Sequence, residues 1–357
     1  MSIKVDKEIC VWAEYGWTDG STSVQGPRVR SKGRFVFVSP DVALDFKSYP
    51  EWSFDGSSTG QAITKQSDVI LKPVKVVVDS SRNRPQQMAV LVWCDCWNAD
   101  GTPHETNHRQ KLKDILLDRL EWMDEQEPMF GIEQEYQLHY YNNENKSLLD
   151  EPTEQGPYYC GYGSAQTRGR RVVDEHTRRC TQSGLILWGV NAEVAPSQWE
   201  FQTRPHDPVE SGDELWLIRW ILLRTAEDVE LDVSFHPKAL GAEWNGSGAH
   251  TNFSTNELRN EEGSYEKVIE RIRKYHEHTP AWPFYGVGNE LRLTGLHETS
   301  SMDEFRFGTA DRGAAIRIPP DTVKNNKGYL EDRRPAANID PYQVIGWLIC
   351  ALSSEST

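Results

Sequence analysis

The chain has 357 residues, 37% of them hydrophobic, long enough for two or three domains and rich enough to bury at least one sizeable core. Its 39 Lys and Arg against 54 Asp and Glu leave a net charge of −15, which repels nucleic acid and anionic membranes and excludes either as a general partner. An anionic substrate therefore needs a local cationic pocket. Six cysteines (Cys10, Cys94, Cys96, Cys160, Cys180 and Cys350) form no CxxC pair, and in a chain this long they read as reduced, mostly buried thiols of a cytoplasmic protein. The opening MSIKVDKEIC has no apolar signal core, and the most apolar stretch, 215–223, is cut by Arg219. Neither secretion nor a membrane span is expected.

The first hundred residues are rich in Gly, Ser and Pro, with short β-like runs at 34–38, 74–78 and 88–93. A small β-rich domain over 1–105 is predicted. Thr106 and Asn107 then form an N-cap pair, and Leu112, Ile115, Leu116 and Leu120 recur at helical spacing over 108–127 until Pro128 stops the run. This helix opens a larger domain, 106–357. Helical patterns follow at about 168–183 (ending at Gly184), 213–229 (started by Ser211 or Asp213) and 264–277. Strand-like runs at about 130–140, 185–202 and 313–318 alternate with them, so the larger domain mixes α and β.

Within the run from 130 to 139, Ile132, Tyr136 and Leu138 share one strand face, and Glu133 and Glu135 share the other because side chains repeat every two residues. An isolated ExE pair ordinarily marks a solvated strand face. Here, however, Glu193 and Glu200 flank a Pro196 turn, and a hairpin there brings both carboxylates to one surface with Trp199 and Phe201 packed behind. Four carboxylates converging in a partly dry site repel one another, and hard divalent cations such as Mg²⁺ or Mn²⁺ are what such oxygens bind. The run WNGSGAHTNFS (244–254) reads as a binding loop whose glycines tolerate unusual backbone angles and let a ligand approach main-chain N–H groups. A lone His250 after it is more often structural than a ligand; the carboxylate set raises the second reading.

Between 292 and 334 the local charge reverses sign, with Arg292, Arg312, Arg317, Arg333 and Arg334 among Glu298 and Glu331. Surface salt bridges account for one or two such arginines. Five suit bidentate recognition of carboxylate and polyphosphate, and without a GxxxxGK[ST] motif the nucleotide site is not of the P-loop type.

Taken together and in this order, WSFDGSSTGQ (52–61), SDVILKP (67–73), GIEQEY (131–136), NAEVAPSQWEFQ (191–202), WNGSGAHTNFST (244–255), RLTGLHETS (292–300), AAIRIP (314–319) and GYLEDRRPAAN (328–338) resemble glutamine synthetases of the eukaryotic-type, short-subunit class over roughly residues 11 to 345. The resemblance implies an α+β protein with an N-terminal β-grasp domain and a catalytic domain on a curved antiparallel sheet with flanking helices. It implies a homo-oligomer, a decamer of two pentameric rings with sites between subunits, acting on L-glutamate, ammonium and ATP with at least two Mg²⁺ or Mn²⁺ per site. By motif, Glu135, Glu193 and Glu200 would hold one metal and Glu133, His250 and Glu331 the other. Arg292 and Arg333, with Asn245 and Gly246, would grip glutamate. Arg312 and Arg317 would face the ATP phosphates, with Asn252, Phe253, Ser254, Tyr329 and Leu330 as further nucleotide contacts. Asp55 from the adjacent subunit would deprotonate ammonium, and Glu298 would close over the site as a flap.

Asp311, where the family pattern has Asn, and the run 162–166 depart from the resemblance without removing a metal ligand. The unusual segment 82–97, with Trp93, suggests packing at subunit contacts. Two other functions stay open at this stage: a ligase coupling another amine to glutamate, and a non-catalytic homologue, which the intact ligand set and Glu298 disfavour.

Overall fold

The computed structural model describes residues 8–354 except 142–145, 150, 151, 153 and 154. The opening residues 1–7, part of the segment read as lacking a leader, lie outside the described residues. The chain begins with β1 (Ile9–Thr18), β2 (Val29–Val38), β3 (Trp52–Asp55), β4 (Asp68–Val78) and β5 (Ala89–Asn98), which form a five-stranded sheet in the order β2-β1-β5-β4-β3. Alternation along β1 places Val11, Ala13, Tyr15 and Trp17 on the face that closes over this sheet's own core, with Leu71, Val90 and Val92.

The remaining elements are α1 (His108–Leu117), α2 (Leu120–Gln126), β6 (Met129–Tyr140), α3 (Arg170–Gln182), β7 (Leu187–Ala192), β8 (Gln198–Thr203), α4 (Pro208–Glu227), β9 (Leu231–Ser234), β10 (Ala249–Ser254), α5 (Asn256–Asn260), α6 (Ser264–His278), β11 (Phe307–Thr309), β12 (Ile316–Ile318), α7 (Pro320–Asn325), β13 (Leu330–Asp332) and α8 (Pro341–Leu352). A second sheet runs β11-β12-β13-β10-β6-β8-β7, with β9 also paired to β6. The result is a mixed α+β architecture. No helix of the described residues is long and apolar enough to cross a membrane.

Local chemistry moved several boundaries. The helix expected over 108–127 breaks between Asp118 and Arg119 into α1 and α2. Helix α4 starts at Pro208 rather than near Ser211 or Asp213, because Asp207 accepts the N–H groups of Val209 and Glu210 and proline suits the first helical position. Helix α8 is apolar nearly all round and buried, so it carries no helical period in the sequence. Arg219, the interruption in the apolar stretch, is 2% exposed and donates to Gln134 Oε1 (2.9 Å) and to the carbonyls of Ile339 (2.7 Å) and Ala337 (2.9 Å). It crosslinks α4, β6 and the segment before α8.

Trp93 corrects another expectation. It does not face a subunit contact: its ring stacks on Trp216 of α4 at 5.9 Å, and its Nε1 donates to the Tyr342 hydroxyl of α8 (3.1 Å). Beside it Arg109 of α1 pairs with Asp213 (2.8 Å) and Asp95 (3.6 Å). The small sheet is therefore joined to the helical layer by a packed, hydrogen-bonded seam.

Candidate active site

Strand β6 lies inside the larger sheet, and its pleat turns Glu133 and Glu135 to the same face. Register supplies their neighbours. On one side His250 of β10 stands opposite Glu133, and Asn252 of β10 stands opposite Glu331 of β13. On the other side Glu200 of β8 stands opposite Glu135. Glu193 follows β7 in the turn back to β8, where its N–H donates to the Gln198 carbonyl (2.8 Å) and Ser197 adopts φ 61°. The expected hairpin is thus β7–β8, with Trp199 and Phe201 fully buried behind it.

Two triads result. Glu135, Glu193 and Glu200 bring their donor atoms within 4.8 Å of one another, as do Glu133, His250 and Glu331. Burial and the neighbouring Glu193 push the Glu135 carboxyl up to about 8. Burial likewise raises Glu193 to about 7, against hydrogen bonds from the Val194 N–H and Asn191. Glu200 is pushed well above the carboxylate range by burial and by Glu133, Glu193 and Glu135. Burial and the Arg333 cation keep His250 neutral, its pKa far below the usual imidazole value. Its Nδ1 lies 3.7 Å from Glu133 and 3.6 Å from Glu331, too far for a hydrogen bond. Crowded buried carboxylates and a neutral imidazole form a donor set that fits divalent cations, which relieve the repulsion that otherwise holds protons on the cluster.

The arginines divide by partner. Arg292 is fixed: its Nη2 donates to the carbonyls of Arg333 (2.9 Å), Arg334 (2.8 Å) and Pro335 (3.0 Å), and its Nε to Asn289 (3.2 Å). Burial lowers its pKa to about 10, which still leaves it a cation at neutral pH. Arg333 and Arg317 each donate to Glu331 at 2.6 Å, and Arg333 also donates to the Arg312 carbonyl (3.0 Å). Burial opposes the charge of Arg312, but Tyr159, Glu298 and Glu331 hold its pKa above the ordinary value. Arg334 leaves the set, since it is buried in an ion pair with Asp332 (2.7 Å) and boxed by Tyr285, Phe305 and Trp347.

Three hollows meet at these residues. The largest, about 660 Å³, is lined by Met129, Glu133, Asn252, Ser254 and Tyr329, with the buried Phe253 in its wall. Leu330, the next residue, is fully buried. A second, about 300 Å³, holds both triads except Glu331, together with Glu298, Arg312 and Arg333. Glu133 lines both. The third, about 20 Å³, is formed by Asn245, Gly246, Arg292, Glu298 and Arg333 beside Glu135 and Glu193.

The glycine loop works differently from its sequence reading. Neither Gly246 nor Gly248 has a positive φ. A Cβ on Gly246 would fall 2.3 Å from the Pro237 carbonyl oxygen and 2.6 Å from Arg292 Cγ, and one on Gly248 would fall 2.8 Å from His250 Nε2. These glycines admit the site's own side chains, and the Gly248 N–H is spent on Glu135 Oε2 (2.7 Å). Glu298 accepts from Asn245 Nδ2 (3.3 Å), and both it and His297 sit at left-handed φ, 61° and 52°.

Asp55 is the residue the fold does not bring in. It is exposed at the end of β3 and lines none of the three hollows. Ser57 and Ser58 hydroxyls donate to it at 2.6 Å and hold its carboxyl below the usual range. Sequence reading passed over Gln198, whose Nε2 donates to Glu135 (3.2 Å), the Gly246 carbonyl (2.9 Å) and Ser247 (3.0 Å), tying hairpin, β6 and loop together. The period-2 run QWEFQ, which puts Gln198, Glu200 and Gln202 on one face, was the available signal. Tyr159, which lines the second hollow, had no such signal.

Two triads of metal-ligating side chains on one sheet face, arginines held around them and a cleft opening beside Glu133 make the kind of site that an enzyme handling divalent cations and anionic ligands needs. Residues 106–268 match the family model described as glutamine synthetase, catalytic domain. Glutamine synthetase of Tuber borchii is 44% identical over 349 residues, covering 96% of this chain and 92% of that protein. That of Eremothecium gossypii is 46% identical, covering 98% and 90%, and the chloroplastic glutamine synthetase of Chlamydomonas reinhardtii is 45% identical, covering 94% and 89%. The chain belongs to the glutamine synthetase family, ligases that use ATP and divalent metal.

Proposed function

We propose that this protein is a glutamate–ammonia ligase, converting ATP, L-glutamate and ammonia to ADP, phosphate and L-glutamine through γ-glutamyl phosphate. The observation that carries this reading is the pair of triads joined through Glu133 to the large cleft, in a chain 43–46% identical to curated glutamine synthetases. A carboxylate is a poor electrophile, so the γ-carboxylate of glutamate must first take the terminal phosphoryl group of ATP. Nucleotide lies in the large cleft along Asn252, Phe253, Ser254 and Tyr329, its phosphates directed toward Glu133; Leu330, fully buried and outside the cleft lining, drops out of the expected contacts. Glutamate lies in the 300 Å³ hollow, which shares Glu135, Glu193, Glu298 and Arg333 with the small one, and reaches from it toward Arg292, Asn245 and Gly246.

Glu135, Glu193 and Glu200 would hold one divalent cation, Mg²⁺ or Mn²⁺, and Glu133, His250 and Glu331 the second; bound there, they supply charge neutralisation for phosphoryl transfer. Arg312 and Arg317 stabilise the charge developing on the transferred group. Ammonium has no lone pair, so a carboxylate must remove a proton before nitrogen attacks the acyl phosphate, and Asp55 is assigned that step. Its distance from its own chain's hollows suits delivery from a neighbouring subunit, hence a decamer of two pentameric rings with sites between subunits. Glu298 on its strained loop closes the site against water. The reading also divides the chain into a β-grasp domain, 1–105, and a catalytic domain, 106–357, in a protein that works in the cytoplasm.

The test is phosphate release from ATP with Mg²⁺ and glutamate, with and without ammonium, with the amide identified by mass spectrometry. Ammonium-dependent release matched by glutamine, and abolished by a chelator, is expected. Release with another amine alone would move the protein to a different ligase on the same scaffold, and no turnover with either metal would overturn the reading.

A further inference from the structure

Trp188 has no part in the chemistry above, yet it is 67% exposed and lines the 660 Å³ cleft. Its position is set by the backbone. Strand β7 is the outermost strand of the larger sheet at this end, and its register with β8 shifts between Leu187 and Gly189: Leu187 stands opposite Thr203 and Gly189 opposite Gln202, leaving Trp188 as the unpaired residue of a bulge. Bulges re-aim side chains, and an exposed indole on an edge strand is otherwise a liability.

The cleft also has a direction. Glu133 is the residue it shares with the metal hollow, so the phosphates belong at that end. Gln202 stands opposite both Glu133 and Gly189, which puts Trp188 two strand spacings, roughly 10 Å, from Glu133 across the sheet. Met129 and Pro205 line the same cleft and add apolar surface. A planar apolar face at that remove from the phosphate end matches the heterocyclic base of a nucleotide, since stacking on an indole needs only a π-face.

We propose that Trp188 is the stacking surface for the nucleotide base, a positioning and specificity residue of the large cleft. This rests on the assignment of that cleft to ATP. Calorimetric titration of the full-length protein with Mg-ATP and with Mg-tripolyphosphate, which has no base, separates the two ideas. Trp188→Ala is expected to weaken ATP binding roughly 5- to 100-fold while leaving tripolyphosphate unchanged. Trp188→Phe should restore most of the affinity and abolish the part of the ATP-induced fluorescence change that belongs to this indole. Equal weakening of both ligands, or unchanged ATP affinity in Trp188→Ala, overturns the proposal even if the wild type makes glutamine. Conversely, Trp188-dependent ATP binding in a wild-type protein that makes no glutamine would leave the stacking role standing and the proposed activity rejected.

Discussion

Glu133 and Glu135 are two residues apart on one strand face, yet each is completed by different neighbours. Glu135 meets Glu200 and Glu193 through the β7–β8 hairpin, whereas Glu133 meets His250 and, one strand further, Glu331. Glu298 belongs to neither triad, and its left-handed φ beside that of His297 marks a loop held in a costly conformation. If it closes the site, Glu298→Ala should let water intercept the acyl phosphate. Glutamate-dependent ATP hydrolysis without ammonium should rise relative to glutamine formation, and an unchanged ratio of the two rates counts against a flap.

At the scale of elements, the contact between α3 and α4 contains a titratable group remote from the chemistry. His176 is fully buried, its Nε2 bonded to the Ile218 carbonyl (3.1 Å) and its ring edge-on to Phe201 at 5.4 Å. Burial lowers its pKa from 6.5 to about 4. Between these values the unfolded chain binds the proton and the folded chain does not. The neutral histidine therefore contributes fully above pH 6.5, and its contribution is lost as pH falls toward 4, on the order of 3 kcal/mol in all. His176→Gln, which keeps a donor for Ile218 but cannot ionise, should lose less melting temperature than wild type between pH 7 and pH 5. Parallel losses would show that the imidazole is not the group responsible. The same layer explains why α8 escaped the sequence reading: a helix buried on every side has no polar face, so a run such as VIGWLICAL offers length but no period.

For the molecule as a whole, the position of Asp55 is the fact with most consequence. It lies on the small sheet, exposed, while every other assigned residue gathers on or beside the larger sheet. If one subunit's Asp55 serves the next subunit's triads, a mixture of Asp55→Ala and Glu200→Ala chains should form some sites free of either change. Activity should then reappear on co-assembly of two variants that are each nearly inactive alone. No recovery in co-assembled particles, checked by light scattering, would mean that each chain supplies its own proton acceptor.

Much of the site was legible in the sequence because strand periodicity is rigid: with a repeat of two, ExE fixes two carboxylates to one face, and a Pro196 turn returns Glu200 toward Glu193. Register was not legible, because nothing local states which residue of β10 faces Glu133 or that β13 brings Glu331 to His250 across β10. The role of the glycines was also decided by tertiary approach, since neither has a positive φ and it is the nearness of the Pro237 carbonyl, Arg292 and His250 that forbids a side chain. Of the arginines, charge alone could not separate Arg334, buried in its ion pair, from Arg312, which faces the hollow. Composition, alternation and ordered motifs thus determined the class of chemistry and pointed to most of the residues that cluster on the sheet face. Long-range pairing, which depends on contacts across hundreds of residues, decided how they assemble and which surfaces they leave open.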